Sequence, residues 1–219
     1  MTQAWLSELA FIPRGGTFAV NRPLDGRAVA ILGNGPSLTP LVARTLEAYP
    51  HILTNNSYLL TRTRTVLVAL DRRWFEWHGQ PVAGIGHKVV TALAPGQTVN
   101  FHGDLYPFEK NREDPLNLAP GVLSGKNSGH SAIMLALQMG ATRIYLAGFD
   151  MGFVDGRAHW HPEHPVPSSE ANYTTRFRPD LELLAKSMSS RGIVIAAVTP
   201  SMAQIPHVPL EEAVKDLAG

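Results

Sequence analysis

Two short stretches carry side chains whose types and spacing could do chemistry. The first is Gly33-Asn34-Gly35-Pro36-Ser37. Glycines there let a ligand come close to the backbone, while an amide and a hydroxyl add directional hydrogen bonds. A helix following such a turn offers unsatisfied N–H groups and a positive dipole end, which suits phosphate. The turn has neither the third glycine of a dinucleotide fingerprint nor the lysine of a P-loop. It therefore points to an anionic ligand without naming one. The second stretch is the run Ala158-His159-Trp160-His161-Pro162-Glu163-His164-Pro165. A histidine with its ordinary pKa of about 6.5 takes a proton from an attacking hydroxyl near neutral pH. His161, His164 and His159 are thus the candidate catalytic residues. The same run admits a metal reading, since its histidines, Glu163, Asp150 and Asp155 are donors suited to Zn²⁺ or Mn²⁺. No metal-ligand set is assigned.

These residues need a scaffold, and the hydrophobic pattern supplies one. Short Val, Ile and Leu-rich runs alternate with segments of helical period, which predicts an α/β fold with a doubly wound, mostly parallel, Rossmann-like sheet. Strands are expected at 28–33, 51–56, 65–70, 143–150 and 193–198, and helices at 37–48, 127–139, 170–190 and 209–217. Ser37 is expected at the start of its helix, Gly140 as a C-cap, and Pro179 as a break or delay in the 170–190 helix. The stretch 79–125, with Gly and Pro throughout, reads as an irregular middle insertion. The whole of 1–219 reads as a single nucleotide-binding domain.

In such sheets ligands lie beyond the carboxyl ends of the strands. Polar residues gather at those ends: Gly33, Asn34, Gly35 and Ser37 after the first strand, Asn56 after the second, Asp71 after the third. Asn127, Ser128 and Gly129 open a helix, Asp150 ends the strand RIYLAGFD, and Thr199 and Ser201 follow the last strand. All are candidate nucleotide-binding residues. At any single position, helix capping or a turn accounts for the same residue type. In Asp71–Gly79 (DRRWFEWHG), Arg72 and Arg73 beside Trp74, Phe75 and Trp77 could stack a base. The favoured reading puts Trp74 and Trp77 in the core and the arginines at the surface.

Composition narrows the partners. With 19 Lys+Arg against 18 Asp+Glu, the net charge of +1 leaves no global field to attract nucleic acid or an anionic membrane. The absence of cysteine removes disulfides and thiolate chemistry and fits a cytoplasmic setting. No apolar run approaches the roughly 20 residues of a membrane span. A homo-oligomer is open.

Taken together, GNGPSL after the first strand, SGHSAIMLALQMG, RIYLAGFD and the late histidine run resemble the bacterial sialyltransferases that use cytidine-monophosphate sugars. They equally resemble the related domain of motility-accessory flagellin glycosyltransferases and archaeal 6-hydroxymethylpterin diphosphokinase. VLVALDRRWFEWHG, GKNSGHSA and AHWHPEHP are similar to stretches in uncharacterised phage-encoded members of that superfamily. The resemblance spans residues 28 to about 205 and fits 79–120 poorly. It implies a nucleotide-dependent transferase with a nucleotide or nucleotide-sugar ligand, an unassigned acceptor and a histidine from the segment after RIYLAGFD as base. Asn34, Gly35 and Ser37 would then meet phosphate and ribose, and Asn56 and Ser128 the nucleotide or leaving group. Asp150 would lie at the pocket floor, with Tyr173 beyond the histidines. Glycosyl transfer in this group requires no cofactor, whereas the diphosphokinase would need ATP and Mg²⁺, with Asp71 and Asp150 as metal candidates. Lys126, Arg157 or Arg176 could stabilise the departing nucleotide. A non-catalytic nucleotide-binding phage protein, acting in host cytoplasm, is the third reading.

Overall fold

The computed structural model describes residues 4–162 and 168–219. A short helix α1 (Ala4–Glu8) leads into an antiparallel hairpin, β1 (Phe11–Arg14) and β2 (Thr17–Val20). Gly15 and Gly16 make its turn with φ of 51° and 97°, backbone open to glycine. No element is expected over this stretch from the sequence pattern. The hairpin is held by rings: Phe11 stacks on Tyr106 with centroids 3.9 Å apart, and Phe18 meets Tyr106 edge-on.

The main sheet has eight strands, all parallel, in the order β10-β9-β3-β4-β5-β6-β7-β8. They are β3 (Ala28–Leu32), β4 (His51–Thr54), β5 (Val66–Val68), β6 (Lys88–Leu93), β7 (Leu105–Asn111), β8 (Val122–Ser124), β9 (Arg143–Ala147) and β10 (Val194–Ala197). Covered faces explain the continuous apolar strands: every residue of Ala28–Leu32 is buried. Alternation sends Val29 and Ile31 into one apolar cluster and Ala28, Ala30 and Leu32 into the other. The first cluster is closed by α4 (Ser128–Gln138) and α6 (Arg178–Ser189), the second by α2 (Pro40–Leu46), α3 (Arg72–Ile85) and α7 (Leu210–Ala218).

Several expectations shift. The segment 79–125 does contain irregular crossovers, at 94–104 and 112–121, but it also completes α3 and adds β6, β7 and β8 to the sheet. Helix α2 starts at Pro40, with Thr39 as N-cap accepting from the Val42 amide, so Ser37 stays outside it. The second strand stops at Thr54 because Asn55 takes φ 44° and opens a 3₁₀ turn, Asn55–Leu60. Gly140, at φ 92°, follows α4 as a C-cap position expects. Pro179 does not break its helix: α5 (Glu170–Asn172) runs through a π-helical stretch, Tyr173–Phe177, directly into α6, where the proline sits in the first turn. Trp74 is buried, as the core reading has it, but Trp77 is 41% exposed, because α3 turns that side of its second turn outward. No helix among the described residues is long and apolar enough to cross a membrane.

Candidate functional site

The chain runs from β3 outward through β8 on one side, then returns to place β9 on the other side of β3. Strand order therefore reverses between β3 and β9, and a crevice opens there at the carboxyl ends. An open cleft of about 1050 Å³ starts at this point and extends across the sheet edge to β7.

Its floor is made by two loops in close contact. The amides of Gly33 and Gly35 donate to the carbonyls of Ala147 and Gly148 at 2.7 and 2.8 Å. A Cβ on Gly33 would overlap the Gly148 carbonyl, and one on Gly35 would overlap the Asp150 carboxylate. Neither glycine has positive φ. Their absent side chains serve the approach of loop to loop rather than a special turn conformation. Asp150 is 2% exposed and is held by Ser37, whose amide lies 3.1 Å from Oδ1 and whose hydroxyl donates to Oδ2 at 2.8 Å. Burial pushes the Asp150 carboxyl up, and the Ser37 bonds oppose that shift. Thr199 Oγ1, 2.9 Å from Ser37 Oγ, accepts the Gly148 amide at 2.9 Å and ties the last strand to the pair.

One side wall comes from β4, β5 and α4. Asn34 donates through Nδ2 to Thr54, reaching its carbonyl at 2.8 Å and its hydroxyl at 3.1 Å. Its Oδ1 has no hydrogen-bond partner among the described residues. Asn55 accepts from Ser128 Oγ at 2.9 Å. Asn127 caps α4 by accepting the His130 amide, and Asp71 caps α3 by accepting the Arg73 amide, each at 2.9 Å. Both also line the cleft. The first amides of α4, at Ser128 and Gly129, lie beyond the reach of intrahelical acceptors and sit in the cleft wall. Asn55 (φ 44°) and Met151 (φ 54°) hold left-handed backbone at the cleft, a conformation that costs most for the methionine. Arg178 clamps Met151 there, its Nη2 donating to the Met151 carbonyl at 2.9 Å.

The opposite wall is the histidine segment. The Trp160 amide donates to the Asn34 carbonyl at 3.1 Å, fastening this segment to the glycine turn. His159 lines the cleft, with Nε2 3.0 Å from Ser168 Oγ, and its ring stacks on His161 at 5.4 Å. Tyr173 lies beside them. Burial pushes its phenol up and the Asp150 charge adds to that, while a hydrogen bond with Ser168 opposes it. Farther along, Arg72, Arg73, Lys110, Arg112 and Lys126 reach the cleft, accompanied by Asp71, Glu109 and Glu113. Burial pushes the Lys110 ammonium down, Arg112 adds to this and Asp71 opposes it.

Of the residues singled out by sequence, Gly33, Asn34, Gly35, Asp71, Asn127, Ser128, Gly129, Asp150 and His159 line the cleft. Ser37, Asn56, Thr199 and Ser201 do not. Ser37 and Thr199 support Asp150 from behind. Asn56 is buried and accepts the Trp74 indole N–H at 2.8 Å, and Ser201 donates to the Phe149 carbonyl at 2.7 Å. His161 stands behind His159, outside the cleft lining, and His164 lies outside the described residues. Among the described residues, no three His, Asp or Glu side chains come together as a metal-holding group. Arg157 and Arg176 are exposed and off the cleft lining, whereas Lys126 is on it and pairs with Asp180 at 3.0 Å. Asn55, Lys110 and Arg112 escape the sequence reading. Asn55 is hidden by its neighbour, an identical residue type one position on, and the two basic residues by an irregular context that gave no strand end to place them at.

No protein-family model matches the chain, and no curated protein matches it. Among solved structures, the chain is similar to the sialyltransferase CstII from Campylobacter jejuni in complex with a substrate analogue, cytidine-5'-monophosphate. The identity is 12%, the TM-score 0.47, and the superposition covers 86% of this chain and 87% of that one.

Proposed function

We propose that the protein is a nucleotide-dependent transferase, a glycosyltransferase that takes its sugar from a nucleotide donor and uses His159 as general base. The observation that carries this reading is the position of the cleft. It lies at the β3/β9 switch point, with the α4 amides on one wall and an oriented imidazole on the other. The nucleotide lies against Asn34, Asn55 and the start of α4, where N–H groups and the helix dipole meet its phosphate. Asp150 stays on the floor, locked by Ser37, and keeps the glycine loop in register.

The acceptor hydroxyl oxygen forms a bond to the anomeric carbon. The bond from that carbon to the donor phosphate breaks, and the nucleotide leaves with the electron pair. The hydroxyl proton passes to His159, which Ser168 orients. Charge on the departing phosphate is met by the α4 amides and Lys126, so that no metal or cofactor takes part. The motifs of the sequence resemble both the sialyltransferases and the diphosphokinase and do not separate the two. A diphosphokinase would place Mg²⁺ on Asp71 and Asp150. These follow β5 and β9, three strand spacings apart, about 14 Å of sheet. Both carboxylates are already engaged by main-chain amides.

The test is release of nucleotide from CMP-, UDP- and GDP-sugars in the presence of a chelator, for the parent protein and for His159→Gln. One donor is expected to turn over without metal. The substitution should lower kcat by about 10²–10⁴-fold with little change in donor affinity, the usual scale of general-base loss. Turnover unchanged in His159→Gln removes the histidine from the mechanism, and strict dependence on Mg²⁺ and ATP returns the diphosphokinase.

A further inference from the structure

The cleft has a second end that the glycine turn does not reach. From β3 to β7 is four strand spacings, roughly 19 Å of sheet edge. Toward that end three cations line the cleft: Lys110 from the end of β7, Arg112 just beyond it, and Arg73 from the first turn of α3, the helix that follows β5 two strand positions away. Among the described residues none of the three forms an ion pair, although Arg72 pairs with Glu76 and Lys126 with Asp180. Lys110 is half-buried and within electrostatic reach of Arg112, so the two ammonium and guanidinium charges repel one another. The carboxylate that tempers them, Asp71, is committed to the Arg73 amide as the cap of α3.

Of the three, Lys110 is the one that loses hydration, and it is also repelled by Arg112, a combined cost that Asp71 offsets only in part. An oxyanion arriving there relieves both. We infer that this end of the cleft is a separate subsite for a phosphate group on the second substrate, the acceptor, with Lys110 and Arg112 as its principal ligands and Arg73 at its rim. A guanidinium fork and an ammonium together suit a doubly charged phosphate better than a single carboxylate. Glu109 and Glu113 flank the cations and line the same end. They make the positive field local, which fits one phosphate on a compact acceptor and opposes a long polyanion such as nucleic acid. The assignment of this phosphate to an acceptor rests on the transferase reading above.

The probe is inorganic phosphate, titrated calorimetrically into the full chain, with acetate and a panel of CMP, UDP, GDP and ATP in parallel. The proteins are the parent, Lys110→Gln/Arg112→Gln, and Asn34→Ala, each checked for folding by circular dichroism. Phosphate is expected to bind the parent and Asn34→Ala alike, to bind the double variant at least ten-fold more weakly, and to bind alongside a saturating nucleotide. Should the double variant not fold, Arg112→Gln and Arg73→Gln, both at exposed positions, carry the same comparison. Phosphate affinity equal in all the variants, no phosphate binding to the parent, displacement by equimolar acetate, or full competition by nucleotide each overturns the inference. If no nucleotide binds while phosphate still depends on Lys110 and Arg112, the transferase reading fails and the phosphate subsite stands.

Discussion

Gly35→Ala isolates the feature on which the site depends, the contact between the glycine turn and the loop after β9. The added Cβ would overlap Asp150 Oδ2 and lie 2.7 Å from its Cγ and 2.8 Å from the Gly148 carbonyl oxygen. The carbonyl is main chain and does not yield without moving β9's end. The carboxylate can swing away only by leaving the Ser37 amide and hydroxyl, which hold it at 3.1 and 2.8 Å. Hydrogen bonds to a charged group contribute about 1.5–3 kcal/mol each, and a displaced carboxylate recovers part of this from water. The expected loss is about 3 kcal/mol. For a chain of this size that lowers Tm by roughly 6–12 °C. Gly84→Ala is the control: Gly84 lies within α3, and a Cβ there meets nothing within 4 Å. That change should stabilise by about 0.5–1 kcal/mol through helix propensity. Urea denaturation and scanning calorimetry read both. Gly35→Ala melting within about 2 °C of the parent would mean that the two loops are not locked together, and the reasoning would fall.

Acid should weaken the fold through His87, whose imidazole burial pushes down to about 4 from 6.5, with neighbouring His51 adding to the shift. The unfolded chain takes up the proton first, so this contribution is complete above pH 6.5 and is lost as pH falls toward 4. At 1.36 kcal/mol per pKa unit the loss is about 3 kcal/mol, and His87→Gln should flatten the pH dependence of urea stability in that window. An equally steep profile in the variant would assign the acid sensitivity elsewhere. Asn56→Ala strands the Trp74 indole N–H and should cost about 1–3 kcal/mol of stability while leaving nucleotide affinity unchanged. Asn55→Ala should weaken nucleotide binding about ten-fold, and it should also cost about 1 kcal/mol of stability, because alanine is strained at φ 44°. The opposite pattern of affinity in the pair would put the cleft wall on the wrong asparagine.

The architecture was legible where strands are buried on both faces. Ala28–Leu32, Arg143–Ala147 and Val194–Ala197 announce themselves as apolar runs between helical periods, and the parallel sheet follows from that alternation. Strands β6 to β8 were harder, because they are joined by crossovers without helices, so the alternation that marks the rest of the sheet stops. The hairpin of β1 and β2 reads poorly for a related reason: its stability comes from Tyr106, more than eighty positions away. Within the site, the reading by strand ends and helix starts puts Asn34, Asp71, Ser128 and Asp150 on the cleft lining. Asn56 and Ser37 lie off it, since one residue of strand register or one turn of helix start decides whether a side chain meets solvent or the protein interior. At Asn56 that choice is set by the left-handed backbone of Asn55 and by Trp74 waiting for an acceptor. At Ser37 it is set by Thr39, a better-placed cap, which leaves the serine to Asp150.

The most direct measurement is calorimetric titration of CMP, UDP, GDP, ADP and ATP into the parent and Asn34→Ala, in chelator. The account predicts that one nucleotide binds without metal and that Asn34→Ala weakens it about ten-fold, near 1.4 kcal/mol, with the fold intact and Tm lower by only the few degrees that losing the Thr54 bonds costs. No binding by any of them, or equal affinity in the variant, would contradict a nucleotide site at the junction of β3 and β9.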